Sequence, residues 1–281
     1  MFRLGADFQA GRRGDTYDAR TGQWWLWALL FFGLQFVVLS LAQVLTSYIA
    51  YAAIFGGLPD FAHLDAEFQV RMAKAFLVGM FPAAVMGALF SWWCGGWANT
   101  SHDRGIPLRW PDMGAGGWTL TIVAVIAFLY LAYVVTFAVL GIDPKTYAPT
   151  AKGLNDLSSS AGLVEKTIAD LVDEPWLLAI ALPGIVFGAP LSEELIFRGA
   201  LFSALRQSWV GKTGAVVLTA AVWALVHGSS APWLFVSMIF VMGLVLGILL
   251  LRFGSLWVTI MVHAVWNGLT TLGIFGTIGG S

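Results

Sequence analysis

Six polar side chains lie within otherwise apolar stretches of this sequence, and they are the candidates for chemistry. They are Glu193, Glu194, Arg198, His227, His263 and Asn267. Ionisable groups inside lipid cost free energy, so they usually mark a functional site. A carboxylate, imidazoles and an amide can together activate water and stabilise a negatively charged oxygen. Hydrolysis of an amide bond requires both of these actions.

Glu194 and Arg198 are four residues apart, which places both on one face of a helix. Acid before base is the favourable order, and such a pair neutralises itself where the dielectric constant is low. We therefore interpret the pair as structural support. Glu193 lies about 100° around the helix from Glu194 and has no basic partner nearby in sequence, which suits a general base. The alternative is that both glutamates brace a helix that Pro190 breaks.

His263 and Asn267 are also four residues apart and can donate hydrogen bonds towards one point. His227 follows Trp223 by one helical turn on the same face. At about 1.5 Å per residue, Glu193, His227 and Asn267 lie roughly 20–22 Å from the inner loops, and His263 lies roughly 14 Å from them. The four side chains can therefore meet at one level. A lone histidine on an apolar helix is more often a core residue than a catalyst, but this set is harder to explain as core.

The composition indicates an integral membrane protein. Of the 281 residues, 58% are hydrophobic and 11% are charged, with a mean hydropathy of +0.79. A soluble protein averages about 25% charged residues. The net charge of -1 excludes the basic footprint of a nucleic-acid-binding protein. A single cysteine, Cys94, excludes an intrachain disulfide. The first apolar run is far longer than the ~7–15 residues of a signal-peptide core, so we expect it to remain as a span.

A helix needs about 20 apolar residues to cross the hydrocarbon. On this criterion the sequence predicts an all-α transmembrane bundle of about seven helices, within a range of about six to eight, with the site inside the bundle. The predicted spans are approximately residues 24–55, 75–97, 118–140, 176–205, 215–227, 233–251 and 256–275.

Four regions follow from these spans. They are an N-terminal segment (1–22), three transmembrane helices (23–140), an extramembrane loop (141–175) and a catalytic core (176–281). With the N-terminus in the cytoplasm, more Lys and Arg residues lie in the cytoplasmic segments than in the outer ones, which favours this orientation. The orientation in turn favours a bacterial inner membrane. Residues 163–172 predict either a helix on the membrane surface or a solvated loop. Gly243 and Gly247 form a GxxxG motif that favours tight helix packing.

Three motifs resemble those of the CAAX protease and bacteriocin-processing family, also called the abortive-infection family. Residues 193–199, EELIFRG, resemble its EExxxR motif. Residues 223–227, WALVH, resemble FxxxH with Trp in place of Phe, and residues 263–267, HAVWN, resemble HxxxN. The resemblance covers about residues 176–275 and implies an intramembrane peptidase.

By this resemblance Glu193 activates water with the help of His227, and His263 and Asn267 hold the oxyanion. Glu194 and Arg198 are structural support. The resemblance leaves two schemes open. The favoured one requires no cofactor, and the alternative is a zinc site formed by Glu193, His227 and His263. No HExxH motif is present.

The predicted function is therefore an intramembrane endopeptidase that cleaves a membrane-associated protein or peptide. The alternative is a non-catalytic membrane scaffold or assembly factor with the same fold. A third interpretation is a proton-linked transporter. Many transporters contain internal repeats, and the absence of a repeat in this sequence argues against that interpretation. A serine or aspartyl protease fits worse, since no span holds a supported serine or two aspartates. Substrate, pathway and oligomeric state are not readable from these residues.

Overall fold

The computed structural model describes residues 24–62, 64–97, 110–142, 167–168, 170–228 and 233–279. This part of the chain is helical and contains no strand. Its seven main helices are α1 (Trp24–Phe55), α2 (Ala66–Trp97), α3 (Ala115–Leu140), α4 (residues 175–207), α5 (Gly211–His227), α6 (Trp233–Phe253) and α7 (Leu256–Gly279). The predicted N-terminal segment 1–22 lies outside the described residues.

Five helical stretches are long and apolar enough to cross a membrane. They are Leu29–Phe55, Ala66–Ser91, Ala115–Leu140, Pro175–Arg206 and Trp233–Phe253. Helix α5 is apolar but has only 17 residues, which reach about 26 Å at the α-helical rise. The prediction of an all-α membrane bundle is confirmed. That α5 and α7 also cross the membrane stays a prediction.

Helix α2 begins at Ala66, earlier than the start near residue 75 that apolarity alone predicted. Its first turns carry charged residues, which hid the helix from a search for apolar runs. Glu67 and Arg71 form an ion pair one turn apart. Lys74 binds Glu174, at the start of α4, with 2.5 Å between Nζ and Oε1. These ion pairs therefore stabilise the N-terminal turns of α2 and connect them to the start of α4.

Helix α4 carries the two glutamates and does not break at Pro190, contrary to the break considered from the sequence. It continues through two π-helical stretches, in which backbone bonds run from each carbonyl to the fifth residue ahead. Its successive pieces are Pro175–Pro183 (α), Gly184–Gly188 (π), Ala189–Glu193 (α), Glu194–Leu201 (π) and Phe202–Gln207 (α). A π turn adds a residue to the helix, so α4 stays helical through Pro190.

Small residues bring the other helices close to the site. A Cβ on Gly243 of α6 would lie 2.8 Å from the Cβ of Ala220 and 3.2 Å from Cε3 of Trp223, both on α5. A Cβ on Gly184 of α4 would lie 2.9 Å from the backbone nitrogen of Phe81 on α2. The prediction that the GxxxG motif packs tightly is confirmed, and Trp223, one of the two residues against which Gly243 packs, belongs to the site.

The segment before α4 is described only at its end. Residues 171–173 form a 3-10 turn. Ile168 and Leu171 are buried and pack with Leu77 of α2 and Leu177 of α4. The described end of this segment therefore packs into the bundle, while residues 163–166 and 169 lie outside the described residues.

Candidate active site

The two adjacent glutamates of α4 have different surroundings. The side chain of Glu194 is fully buried, and its Oε1 accepts a hydrogen bond from Nη1 of Arg198 at 3.0 Å. The same oxygen lies 3.0 Å from Nδ1 of His263 on α7. Glu193 is not part of this pair, and 22% of its side chain is exposed. Only Glu193 is therefore open to water and substrate.

Glu193 faces α5. Its Oε2 accepts a hydrogen bond of 2.7 Å from the indole Nε1 of Trp223 and lies 3.7 Å from Nε2 of His227. The Nδ1 of His227 lies 2.8 Å from the carbonyl oxygen of Trp223. A carbonyl can only accept, so Nδ1 carries a proton, and when the ring is neutral its Nε2 presents a lone pair to the carboxylate.

Oε2 of Glu193 and Nε2 of the neutral ring lie 3.7 Å apart, and no direct hydrogen bond joins them because both only accept. A water molecule has two O–H groups and can donate one to Oε2 of Glu193 and the other to Nε2 of His227. Both side chains are partly exposed, His227 to 31%. The arrangement can therefore hold a water molecule and polarise it.

Trp223 connects the two halves of the site. It is 2% exposed, and the guanidinium Cζ of Arg198 lies 4.2 Å from its ring centroid. The rings of His227 and His263 each meet it nearly edge-on, with centroids 5.3 Å away. Sequence reasoning treated Trp223 as an aromatic substitute for Phe. It missed the indole N–H, because the partner of that group is 30 residues away.

The contact with Glu194 restricts the protonation of His263. An ionised carboxylate only accepts, so Nδ1 of His263 carries a proton. If Nε2 is also to donate to an oxyanion, the ring must be the doubly protonated imidazolium. The charges of Glu193, Glu194, Arg198 and this imidazolium then sum to zero.

Asn267 makes a contact that the sequence did not predict. Its Nδ2 donates to the backbone carbonyl of Ile185 in α4 at 3.1 Å. His263 is likewise bonded, to Glu194. The two side chains are therefore each held by α4. A second N–H of Asn267 and the Nε2 of His263 are the groups left for an oxyanion.

A metal requires ligands that converge. Among the residues that the structure describes, no three His, Cys, Asp or Glu side chains are grouped so as to hold a metal ion. Of the three residues considered for zinc, Glu193 and His227 are neighbours, whereas Nδ1 of His263 faces Glu194. Both schemes that the sequence left open, the favoured one without a cofactor and the zinc alternative, stay predictions.

Fold and site together define an all-α membrane protein with a polar cluster buried among its helices. The family described as Type II CAAX prenyl endopeptidase Rce1-like matches residues 175–269, from the start of α4 into α7. This segment contains all three motifs, and the match agrees with the family that the motifs predicted. The match to a family of proteases supports an enzyme. Comparisons with curated proteins and with solved structures gave no match.

Proposed function

We propose that the chain is an intramembrane endopeptidase in which Glu193 activates water. The observation that carries the proposal is the separation of the two glutamates. Glu194 is fully buried against Arg198 and His263, while Glu193 is partly exposed and faces the lone pair of His227. One carboxylate thus has its charge compensated, and the other is available as a base.

In the proposed reaction, a water molecule between Glu193 and His227 attacks the carbonyl carbon of the scissile peptide bond. As the C–O bond forms, a proton of the water passes to Glu193, and the carbonyl oxygen becomes negatively charged. The C–N bond then breaks, and the proton moves from Glu193 to the departing amine. Water and peptide are thereby converted to a carboxylic acid and an amine, with no external oxidant or reductant.

Nε2 of His263 and the second N–H of Asn267 are proposed to stabilise the oxyanion. Donors already held in place stabilise developing charge without reorganising, which makes them effective in a site with little water. The bonds to Glu194 and to the Ile185 carbonyl support this assignment. They hold Nδ1 of His263 and one N–H of Asn267 Nδ2, and so leave Nε2 and the second N–H as donors. Glu194 and Arg198 act as positioning residues. No step requires a metal.

The proposed substrate is a peptide bond in a membrane-associated protein or peptide. The site is formed by helices that lie in or next to apolar spans, so a substrate reaches it from the bilayer or its surface. The matching family is described as prenyl endopeptidases. This supports a lipid-anchored or membrane-inserted substrate over a soluble one.

The test compares peptide termini in the membrane proteome of cells that carry the native chain or its Glu193→Ala variant at matched expression. Glu67→Ala serves as the control, since this carboxylate is exposed and belongs to a surface ion pair on α2. We expect new termini with the native chain and the control, and none with Glu193→Ala. If all three give the same termini and restore the same phenotype, the chain is a scaffold and the proposal is wrong.

A further inference from the structure

The carbonyl of Ile185 in α4 has neither of the two usual donors from its own helix. In the first π turn, the N–H of Ala189 bonds the carbonyl of Gly184 and is not directed at Ile185. The next residue in line for the Ile185 carbonyl is Pro190, which has no N–H. An unpaired carbonyl in an apolar surrounding costs free energy, so it requires a donor from elsewhere.

The donor comes from α7. Nδ2 of Asn267 lies 3.1 Å from the Ile185 carbonyl oxygen, and the two residues are 82 positions apart in sequence. A side-chain amide rotates easily when it is unbound. A bond to a rigid helix therefore determines both the direction of the amide plane and which of its ends faces the site.

We propose that Pro190 is a positioning residue for Asn267. By withholding an N–H from the Ile185 carbonyl, it preserves the acceptor that orients the Asn267 amide, so that the second N–H of Nδ2 points into the site. This inference rests on the proposed function, in which Asn267 stabilises the oxyanion. Pro190 stands three residues before Glu193, so the same turn of α4 aligns the base and the oxyanion donor.

The inference has a direct consequence for Pro190→Ala. The new N–H at residue 190 can bond the Ile185 carbonyl within the helix, where it competes with Nδ2 of Asn267 and weakens the bond that orients the amide. Pro183→Ala is the matched control, because Pro183 lies in the same helix and is not the residue opposite Ile185. Replacing it leaves the Asn267 acceptor unchanged.

The experiment records side-chain amide signals of the full chain in detergent micelles, labelled with ¹⁵N at asparagine. The sequence has three asparagines, so few signals are expected, and Asn267→Asp assigns the one of interest. We expect the Asn267 NH₂ protons to exchange slowly with water in the native chain and in Pro183→Ala. In Pro190→Ala they should shift and exchange at least about tenfold faster, as expected for the loss of one hydrogen bond. Unchanged signals in Pro190→Ala would overturn the inference.

A double-mutant cycle covers the case in which Pro190→Ala changes the fold. Asn267→Asp replaces the donor with an acceptor facing the Ile185 carbonyl, so it should lower the thermal midpoint in the native background. It should lower the midpoint much less when Pro190→Ala is present, since the carbonyl then has its own donor. Equal effects in both backgrounds would contradict the coupling.

Activity separates this inference from the proposed function. On a peptide found in the terminus comparison, Pro190→Ala should lower kcat about tenfold or more and change KM little, while Pro183→Ala keeps the native kcat. If Glu193→Ala is inactive but Pro190→Ala is fully active, only the positioning role is wrong. If Glu193→Ala is itself active, the proposed function fails first.

Discussion

The indole Nε1 of Trp223 donates a hydrogen bond of 2.7 Å to Oε2 of Glu193. This joins the aromatic residue of the second motif to the first glutamate of the first motif, across two helices. A phenylalanine at this position, as in the family motif, has no such donor. In this chain the position of the proposed base therefore depends on a polar contact.

Trp223→Phe should lower kcat while the protein remains folded. The substitution keeps a ring for Arg198 and the two histidines, but it removes the donor to Glu193. A hydrogen bond to a charged group contributes about 1.5–3 kcal/mol, which corresponds to roughly 10- to 100-fold in rate if it aligns the base. The measurement is kcat on the identified peptide, alongside the thermal midpoint in detergent.

Trp257→Phe is the control for this prediction, since Trp257 packs against Trp110 near the start of α7. It should leave kcat at the native value. If Trp223→Phe also cleaves at the native rate, the indole N–H has no part in positioning Glu193.

Glu194→Ala and Arg198→Ala should each lower both stability and activity. Both side chains are fully buried, so removing one leaves the other charge uncompensated, which costs about 3–5 kcal/mol. Glu194→Ala also removes the acceptor for His263. Folded yield and the thermal midpoint measure the effect, and Glu193→Ala, at a partly exposed position, should lose activity with little loss of yield. A native midpoint in either buried variant would show that the pair is not structural support.

Substitution of the two histidines should also separate an effect on activity alone from an effect on activity and stability together. His227 is 31% exposed on its side chain, whereas His263 is 5% exposed and lies against Glu194. His227→Ala should therefore abolish cleavage and retain the native thermal midpoint. His263→Ala should abolish cleavage and lower the midpoint as well. A His227→Ala protein that accumulates normally but is inactive, and a His263→Ala protein that folds poorly, would support these roles. A poorly folded His227→Ala protein and a well-folded His263→Ala protein would contradict them.

Gly243→Ala tests whether the packing of α6 against α5 supports the site. The new Cβ would lie 2.8 Å from the Cβ of Ala220 and 3.2 Å from Trp223, so α6 or the indole must move. Overpacking of this kind costs about 1–3 kcal/mol, and we expect a lower thermal midpoint and a lower kcat. Gly273→Ala on α7 is the control, since no atom lies within 4 Å of its added Cβ. Equal behaviour of the two variants would exclude a packing role for Gly243.

Much of the fold was predictable because long apolar runs determine helices whatever their neighbours. The observed bounds of α1 agree with the predicted span, 24–55. The start of α2 was missed because its first turns are stabilised by charges and by a bond to Glu174, and hydropathy does not register such contacts. The continuity of α4 through Pro190 was missed because a π turn is a matter of hydrogen-bond register, which local composition does not reveal.

The sequence by itself determined the class of protein and the candidate residues. Apolar runs, a polar set within them and three ordered motifs depend only on residue type and spacing, and the family match from residue 175 to 269 agrees with them. Only the tertiary structure decided which side chain contacts which. The partners of Glu193, Glu194 and Asn267 lie 30, 69 and 82 positions away, and contacts across such distances are made by helix packing.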